Sequence, residues 1–398
     1  MPRDSKMSDN SSNFIPLSVP VIRGKEWAYV KECLDTGWVS SAGKFVDRFE
    51  TETCQYTGAK HAVACASGTA ALHVALRIAG VTAGDEVIVP TVTFIASVNS
   101  IRYVDAQPVF MDCDAFYNLD AEKTRNFILH ETAFTNGHTY NRHTNRRITA
   151  LMPVHVFGNA VWLDELLPLC RERNIKVIED AAESIGTRYT TGRFAGRHTG
   201  TIGDIGCLSF NGNKIITTGG GGMILTNDRA DAERAKYLTT QAKDDEVRFV
   251  HNDVGYNYRL TNVQAAIGVA QLEQLPRYLE IKRTNYSAYK QTIDRIPGLH
   301  LAEGPAYASN NHWMYAMQID RAIYGSDREQ LMAKLAGHKI QTRPLWQLNH
   351  LQHPHANCQH YRIERAQHLL DVTLNLPCSV DLTPSQIERV VEVLRQKA

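Results

Sequence analysis

The sequence has almost no excess of charge of either sign. Its 43 lysine and arginine residues are matched by 42 aspartate and glutamate residues, so the formal net charge is +1 over 398 residues. Proteins that bind nucleic acids or acidic membrane surfaces usually carry a strongly basic face. The composition therefore argues against both partners and favours a small metabolite.

The sequence also lacks paired cysteines of the kind that bind zinc, a signal-peptide pattern and a membrane-spanning segment. None of the eight cysteines forms a CxxC pair, which favours buried, reduced thiols in a cytoplasmic protein. The first residues are polar without an apolar signal core, and no later run is long enough to span a bilayer. We therefore expect a cytoplasmic protein without membrane attachment, with a disordered N-terminal tail over residues 1–14.

Two further absences concern cofactors. No GxGxxG sequence opens a helix after a strand near the N-terminus, which disfavours a nicotinamide-dependent oxidoreductase. The histidines between His130 and Arg147 come without a pattern of acidic or cysteine ligands, so we predict no metal site. This polar segment, residues 130–147, is predicted to be a surface excursion.

The chain does contain an alternation of short apolar, β-branched runs with helix-like segments. This alternation predicts an α/β domain with a mostly parallel central sheet and helices on both faces. We place this large domain over residues 15–270 and a smaller α+β domain over residues 271–398. The runs lie at 62–65, 86–89, 109–111, 150–157, 176–178, 207–210 and 223–225.

The smaller domain shows two helix-start signals. Ser326 is followed three residues later by Glu329, and Thr383 is followed by Pro384 and then by Gln386. A capping side chain with a reciprocal acceptor three residues on predicts a helix N-terminus at each place.

A candidate anion site follows the first apolar run. The sequence Ala66-Ser67-Gly68-Thr69 leads into an alanine- and leucine-rich helix, whose first N–H groups and positive end attract anions. Gly68 lets the backbone approach a phosphate closely, and the Thr69 hydroxyl can donate a further hydrogen bond. An ordinary helix cap explains the same residues equally well.

Asp180 and Lys214 together indicate pyridoxal phosphate chemistry. Asp180 ends a β-branched run, and a carboxylate there can keep a pyridine nitrogen protonated, so that the ring accepts electrons. Lys214 lies between an apolar strand and the four glycines 219–222, where a desolvated amine can form a Schiff base. Taken singly, Asp180 could cap the next helix and Lys214 could be a solvated surface lysine.

From Ile15 onward the chain resembles the DegT/DnrJ/EryC1/StrS sugar aminotransferases, which have the aspartate aminotransferase fold (fold type I) and use pyridoxal phosphate. Seven motifs occur in the order found in that family; each alone is weak, and together they are specific. They are Gly37-Trp38-Val39-Ser40-Ser41, Ser67-Gly68-Thr69-Ala70-Ala71-Leu72, Pro90-Thr91-Val92-Thr93-Phe94, Pro153-Val154-His155-Val156-Phe157-Gly158, Asp180-Ala181-Ala182-Glu183, residues 209–214 and residues 255–262.

The resemblance implies roles for residues in these motifs. Lys214 resembles the lysine that binds the cofactor and transfers protons, and Asp180 resembles the partner of the pyridine nitrogen. Glu183 takes the place beside the cofactor's phenolic oxygen, where many relatives carry glutamine. The other implied cofactor contacts are Gly68, Thr69 and Ser209 at the phosphate and Phe94 on the ring face.

The resemblance also implies a homodimer. In the family the asparagine that matches Asn257 reaches the cofactor phosphate of the neighbouring subunit, so two active sites are shared between two chains. Without the family, residues 256–259 are only a polar and aromatic loop before a helix.

The substrate is implied by resemblance to one subgroup, the aminotransferases of legionaminic acid and bacillosamine-type pathways, through residues 33–41, 201–206 and 241–245. This implies transfer from an amino donor, L-glutamate, through pyridoxamine phosphate to a UDP-linked 4-keto-6-deoxy-N-acetylhexosamine. A 3-keto sugar, or one linked to dTDP or GDP, is the alternative. Candidate substrate contacts, several of which could equally pack a domain interface, are Trp38, Ser40, Asn311, His312, Trp313, Arg343, Pro344 and Trp346, with Arg343 suited to a diphosphate.

Two other functions of the same fold are disfavoured by the residues at these positions. A sugar dehydratase of this type would carry histidine in place of Lys214. A non-catalytic regulator or binding protein would have no need to retain Asp180, Lys214 and Thr69 together.

Overall fold

The computed structural model describes residues 13–396, so most of the predicted tail over residues 1–14 lies outside the described residues. The helices are α1 (Glu26–Thr36), α2 (Lys44–Thr57), α3 (Gly68–Ile78), α4 (Ile95–Tyr103), α5 (Ala121–His130), α6 (Leu166–Glu172), α7 (Arg229–Thr239), α8 (Asn262–Ile293), α9 (Arg321–Tyr324), α10 (Arg328–Gly337), α11 (Arg365–Val372) and α12 (Pro384–Arg395). The strands are β1 (His61–Cys65), β2 (Glu86–Pro90), β3 (Gln107–Met111), β4 (Thr132–Thr135), β5 (His138–Asn141), β6 (Arg147–Leu151), β7 (Lys176–Asp180), β8 (Arg188–Tyr189), β9 (Ile205–Ser209), β10 (Gly222–Thr226), β11 (Leu299–Leu301), β12 (Ala308–Ser309), β13 (Tyr315–Ile319), β14 (Arg343–Pro344), β15 (His360–Tyr361) and β16 (Thr373–Leu376).

The central sheet has the order β1-β10-β9-β7-β6-β2-β3-β15. Within this order, each neighbouring pair in the series β9-β7-β6-β2-β3-β15 is parallel. Strand β10 is antiparallel to both β1 and β9. Every residue of β2 is buried: Val87 and Val89 pack in a cluster with α3 and α4, and Ile88 packs in a cluster with α5 and α6. Helices therefore cover both faces, and the predicted α/β fold with a mostly parallel sheet is confirmed.

Residues 130–147, predicted to be a surface excursion, instead extend this sheet. Strands β4 and β5 form a hairpin, and β5 pairs with β6. The hairpin turns at Asn136 and Gly137, which both have positive φ, and Asn-Gly is the dipeptide that such two-residue turns favour. The buried Asn141 amide donates to Glu86 Oε2 at 2.7 Å. The segment is polar because hydrogen bonds, more than apolar burial, attach it to the sheet.

A second, antiparallel sheet has the order β11-β13-β16-β14. It packs on α8, α10 and α12 around a cluster that includes Tyr289, Leu335, Leu374 and Val390. Helix α8 runs without interruption across residue 270, where we predicted the boundary between the two domains. The division of the chain into two domains therefore stays a prediction.

The two predicted helix starts have different outcomes. Helix α12 begins as predicted, with a reciprocal capping box between Thr383 and Gln386. Helix α10 begins one residue later than predicted, because Asp327 is the cap and Gln330 its reciprocal partner. Aspartate caps a helix as well as serine does, and its charge is favourable at the positive helix end. Ser326 is buried instead.

Candidate active site

Three strand ends and one helix start meet at a single cavity of about 740 Å³. Strand β7 ends at Asp180 and β9 ends at Ser209, while β1 leads through a short turn into α3 at Gly68. Because β1, β7 and β9 run in the same direction, their carboxyl ends lie at one edge of the sheet. The predicted residues that line the cavity are Gly68, Thr69, Phe94, Asp180, Glu183, Ser209, Lys214, Trp313, Arg343, Pro344 and Trp346.

Lys214 and Glu183 face each other inside this cavity. Lys214 Nζ lies 3.5 Å from Glu183 Oε1 and 4.0 Å from the centre of the Trp313 ring. The other carboxylate oxygen, Glu183 Oε2, accepts a hydrogen bond from the Phe157 N–H at 2.9 Å. Burial raises the pKa of Glu183 to about 7, against the opposing effects of the Lys214 charge and the Phe157 N–H. The site thus holds the Lys214 amine beside a carboxyl group whose raised pKa favours its protonated form.

Asp180 is held by a short chain of hydrogen bonds. Its Oδ1 accepts from the Ala182 N–H at 3.0 Å, and its Oδ2 accepts from Ser97 Oγ at 2.7 Å. Ser97 Oγ is also 2.8 Å from Thr93 Oγ1, and the Thr93 carbonyl accepts from the Asn349 amide at 2.7 Å. The orientation of the Asp180 carboxylate is therefore fixed by α4 and by the segment around Asn349.

The start of α3 packs closely against its neighbours. Ser67 caps the helix by accepting from the Ala70 N–H at 3.1 Å. A Cβ atom on Gly68 would come within 2.8 Å of Ser209 Cβ, and one on Gly222 would overlap the Ser67 backbone. The two glycines therefore let the helix N-terminus, with its free N–H groups, reach the cavity beside Ser209.

Five of the predicted site residues do not line the cavity: Trp38, Ser40, Asn257, Asn311 and His312. Trp38, Ser40 and Asn257 are exposed, and the Trp38 side chain retains 59% of its accessible surface. His312 stacks on Tyr286 with ring centres 4.1 Å apart, and burial lowers the pKa of its imidazole to about 3.

Asn311 is a structural support of the cavity. Its buried amide donates to the carbonyls of Glu183 and Ile185, and its side-chain oxygen accepts from the Trp313 N–H at 3.0 Å. It therefore ties the backbone at Glu183 to the backbone at Trp313, two residues that flank Lys214.

Ser97 and Asn375 line the same cavity and were missed in the sequence. Ser97 follows Thr93 by four residues at the start of α4, which is a helical spacing that could have indicated a shared polar face. Asn375 is the one amide in the apolar strand Thr-Leu-Asn-Leu, and an isolated polar residue there was the available signal.

Within residues 13–396, no three histidine, cysteine or acidic side chains come together as a metal site. No helix in that part of the chain is long and apolar enough to cross a membrane.

Residues 20–395 match the model of the DegT/DnrJ/EryC1/StrS aminotransferase family, and the chain belongs to this family. The predicted resemblance, the enzyme class and the pyridoxal phosphate cofactor are thereby confirmed. The specific resemblance to the legionaminic acid subgroup stays a prediction.

Individual relatives match over nearly the whole chain. The GDP-perosamine synthase of Caulobacter vibrioides is 39% identical over 385 residues, which are 96% of this chain and 98% of the relative. The putative pyridoxal phosphate-dependent aminotransferase EpsN of Bacillus subtilis is 36% identical, over 96% of this chain and 95% of the relative. Among solved structures, the aminotransferase TlmJ from Streptoalloteichus hindustanus is 26% identical with a TM-score of 0.84, covering 96% of this chain and 98% of that chain.

Proposed function

We propose that the protein transfers the amino group of L-glutamate to a nucleotide-linked 4-keto-6-deoxy sugar in the cavity around Lys214. The observation that carries this proposal is the grouping of the Lys214 amine, the Glu183 carboxyl group and the buried Asp180 carboxylate in one cavity. An amine beside a carboxyl group can act as general base in one step and as general acid in the next, as amino transfer requires.

The residues of the cavity fit pyridoxal phosphate. The Gly68 backbone, Thr69 and Ser209 would hold the phosphate at the start of α3, where glycine leaves room for close approach. Asp180 would bind the pyridine nitrogen, and Phe94 would contact the ring. When bound, the cofactor supplies an electron sink for the electron pair released at the substrate carbon.

Lys214 is the residue proposed to move protons. Its amine would first take a proton from the donor's α-carbon and later return one to the sugar carbon. The side chain is only 12% exposed, so little water competes for these protons. Glu183, 3.5 Å away, would accept or supply a proton as the charge of the amine changes. Ser97 would keep Asp180 in place through its 2.7 Å hydrogen bond.

Arg343 is the proposed anchor for the diphosphate of the sugar nucleotide. Its guanidinium borders the cavity, and no carboxylate among residues 13–396 lies within 4 Å of it. Its Nη1 donates to the Thr342 carbonyl at 3.1 Å. Its charge is therefore not neutralised by a carboxylate in that part of the chain, which suits a ligand that carries two phosphates. Trp313 and Trp346, whose rings stack at 21° with centres 6.4 Å apart, would form an apolar wall for the sugar.

The nucleotide linked to the acceptor sugar could be GDP or UDP, and each has one line of support. A GDP-linked acceptor is supported by the name of the Caulobacter vibrioides relative, GDP-perosamine synthase, at 39% identity. A UDP-linked 4-keto-6-deoxy-N-acetylhexosamine is supported by residues 33–41, 201–206 and 241–245, which resemble the legionaminic acid subgroup. We favour the GDP-linked sugar because the identity extends over 96% of the chain.

We also propose a homodimer in which each chain completes the other's site. Asn257, Trp38 and Ser40 are exposed and lie outside their own cavity, as expected for residues that a second chain would use. The aromatic and apolar character of the exposed residues Trp38 and Val39, which lie beside Ser40 in the chain, supports an interface there.

The proposal can be tested in two separate half-reactions. Glutamate should convert the yellow holoenzyme to its colourless amine form and release 2-oxoglutarate, and a GDP-linked 4-keto-6-deoxyhexose should then restore the yellow form and gain an amino group by mass spectrometry. Lys214→Ala should lower both rates by at least about a hundredfold, whereas the exposed control Lys60→Ala should match the wild type. Faster turnover of the UDP-linked N-acetylhexosamine would overturn the choice of GDP, and amination of neither sugar would overturn the function.

A further inference from the structure

Asn375 is a buried amide on the wall of the active-site cavity. It lies on β16, retains 5% of its accessible surface and borders the same cavity as Lys214. In the antiparallel pairing of β14 with β16 it stands directly opposite Arg343, so both side chains lie on one face of the sheet. The proposed diphosphate anchor and this amide are therefore neighbours.

The oxygen of this amide has no hydrogen-bond donor in the protein. Asn375 Oδ1 is fully enclosed, and no group among residues 13–396 donates to it. Exchanging the oxygen and nitrogen of the amide would leave a buried donor unpaired in the same place. Leaving such a group unpaired is costly, and buried amides are normally paired by protein, water or ligand.

We propose that the Asn375 amide turns its oxygen toward the cavity that it borders, accepts a hydrogen bond from a ring hydroxyl of the acceptor sugar, and selects sugars that carry this hydroxyl. Glutamate cannot supply this bond, because its carboxylates only accept and its amine is the reacting group. A 4-keto-6-deoxyhexose keeps hydroxyls at carbons 2 and 3, with carbon 1 held by the nucleotide that Arg343 anchors. Asn375 thus acts in the second half-reaction only, and the inference rests on the proposed function.

The test substitutes Asn375 by leucine, which has a similar volume and no polar atom. The matched control is Asn285→Leu, because Asn285 on α8 is also buried and has an unpaired amide nitrogen but does not line the cavity. Both variants are measured as holoenzymes with glutamate, with the GDP-linked 4-keto-6-deoxyhexose and with its 2-deoxy and 3-deoxy analogues. Thermal unfolding is recorded in parallel.

Asn375→Leu should lower kcat/KM for the keto-sugar by about tenfold, chiefly through KM. Its glutamate half-reaction and melting temperature should match those of the wild type, because removing an unpaired buried amide does not destabilise the fold. With the wild type, one deoxy analogue should have a kcat/KM lower than that of the keto-sugar by the same factor. With Asn375→Leu, that analogue and the keto-sugar should have equal kcat/KM. Asn285→Leu should change neither half-reaction.

Three results would overturn the inference. The first is an unchanged KM for the keto-sugar in Asn375→Leu. The second is an equal decrease of kcat/KM in the glutamate half-reaction. The third is a decrease of kcat/KM with both deoxy analogues that adds to the decrease caused by the substitution. Failure of the proposed function would be seen separately, since the wild-type protein would then aminate neither sugar.

Discussion

At the scale of the residue, Glu183 is the titrating group that distinguishes this site. Burial raises the pKa of its carboxyl to about 7 from the ordinary 4.5. Between these two pH values the folded protein binds a proton that the unfolded chain has lost, so stability falls as pH rises. Glu183→Gln removes this titration. In the absence of cofactor, the unfolding free energy of Glu183→Gln minus that of the wild type should therefore increase by up to about 3 kcal/mol from pH 5 to pH 8.

Urea unfolding at several pH values measures this difference. Glu388→Gln is the control, because Glu388 is exposed on α12 and its substitution should give the same pH dependence as the wild type. A stability difference between wild type and Glu183→Gln that stays constant from pH 5 to pH 8 would contradict the raised pKa of Glu183.

Sequence reasoning finds those site residues that follow strand ends. Asp180 was located because it ends a β-branched run and Gly68 because it opens a helix after an apolar run, whereas Ser209 was assigned through the family resemblance. Asn375 could not be located in this way, since it lies within a strand of a different sheet that reaches the cavity only through tertiary packing. His312 was predicted at the substrate and is instead stacked on Tyr286, a contact set by α8 that no local pattern encodes.

At the scale of the element, the contact between β10 and the start of α3 determines whether the helix N-terminus can reach the cavity. A Cβ atom on Gly222 would overlap the backbone of Ser67 and come within 2.7 Å of the Gly68 nitrogen. Gly222→Ala must therefore displace the turn that would hold the cofactor phosphate. We expect a loss of about 1–3 kcal/mol in stability and a clearly weaker affinity of the apoenzyme for pyridoxal phosphate.

Urea unfolding and a fluorescence titration of the apoenzyme with pyridoxal phosphate measure the two effects. Gly337→Ala is the control, because nothing lies within 4 Å of a Cβ atom at Gly337 and this residue ends α10 far along the chain. A Gly222→Ala protein that is less stable but binds pyridoxal phosphate normally would show that the turn is not the phosphate site.

Strands that are buried on both faces of the sheet were predicted well, whereas strands that are held mainly by polar contacts were predicted poorly. The strands from β1 to β10 that carry continuous apolar runs were all located, since burial on both faces requires such runs. The hairpin of β4 and β5 was missed because its residues are polar, although Asn136-Gly137 was a sufficient signal for the turn. The cap of α10 differed by one residue, because Ser326 and Asp327 are both good capping residues.

At the scale of the whole molecule, the exposed position of Asn257 leads to a prediction about two chains. If Asn257 serves the neighbouring cavity, a Lys214→Ala chain and an Asn257→Ala chain are each inactive alone. In a hybrid dimer, the cavity with intact Lys214 receives intact Asn257 from the other chain, whereas the second cavity has both defects. Random reassortment should therefore restore about a quarter of wild-type activity, since half of the dimers are hybrid and each has one working site.

The matched control mixes Lys214→Ala with Asp180→Ala. Lys214 and Asp180 line the same cavity of one chain, so every site in that hybrid keeps a defect and no activity should return. Size-exclusion chromatography with light scattering establishes the dimer, and native mass spectrometry of chains that carry tags of different mass establishes their reassortment under the mixing conditions. Activity that stays absent in the first mixture, although hybrid dimers have formed, would assign Asn257 to its own chain. Recovery in the first mixture alone would require that each site is built from both chains.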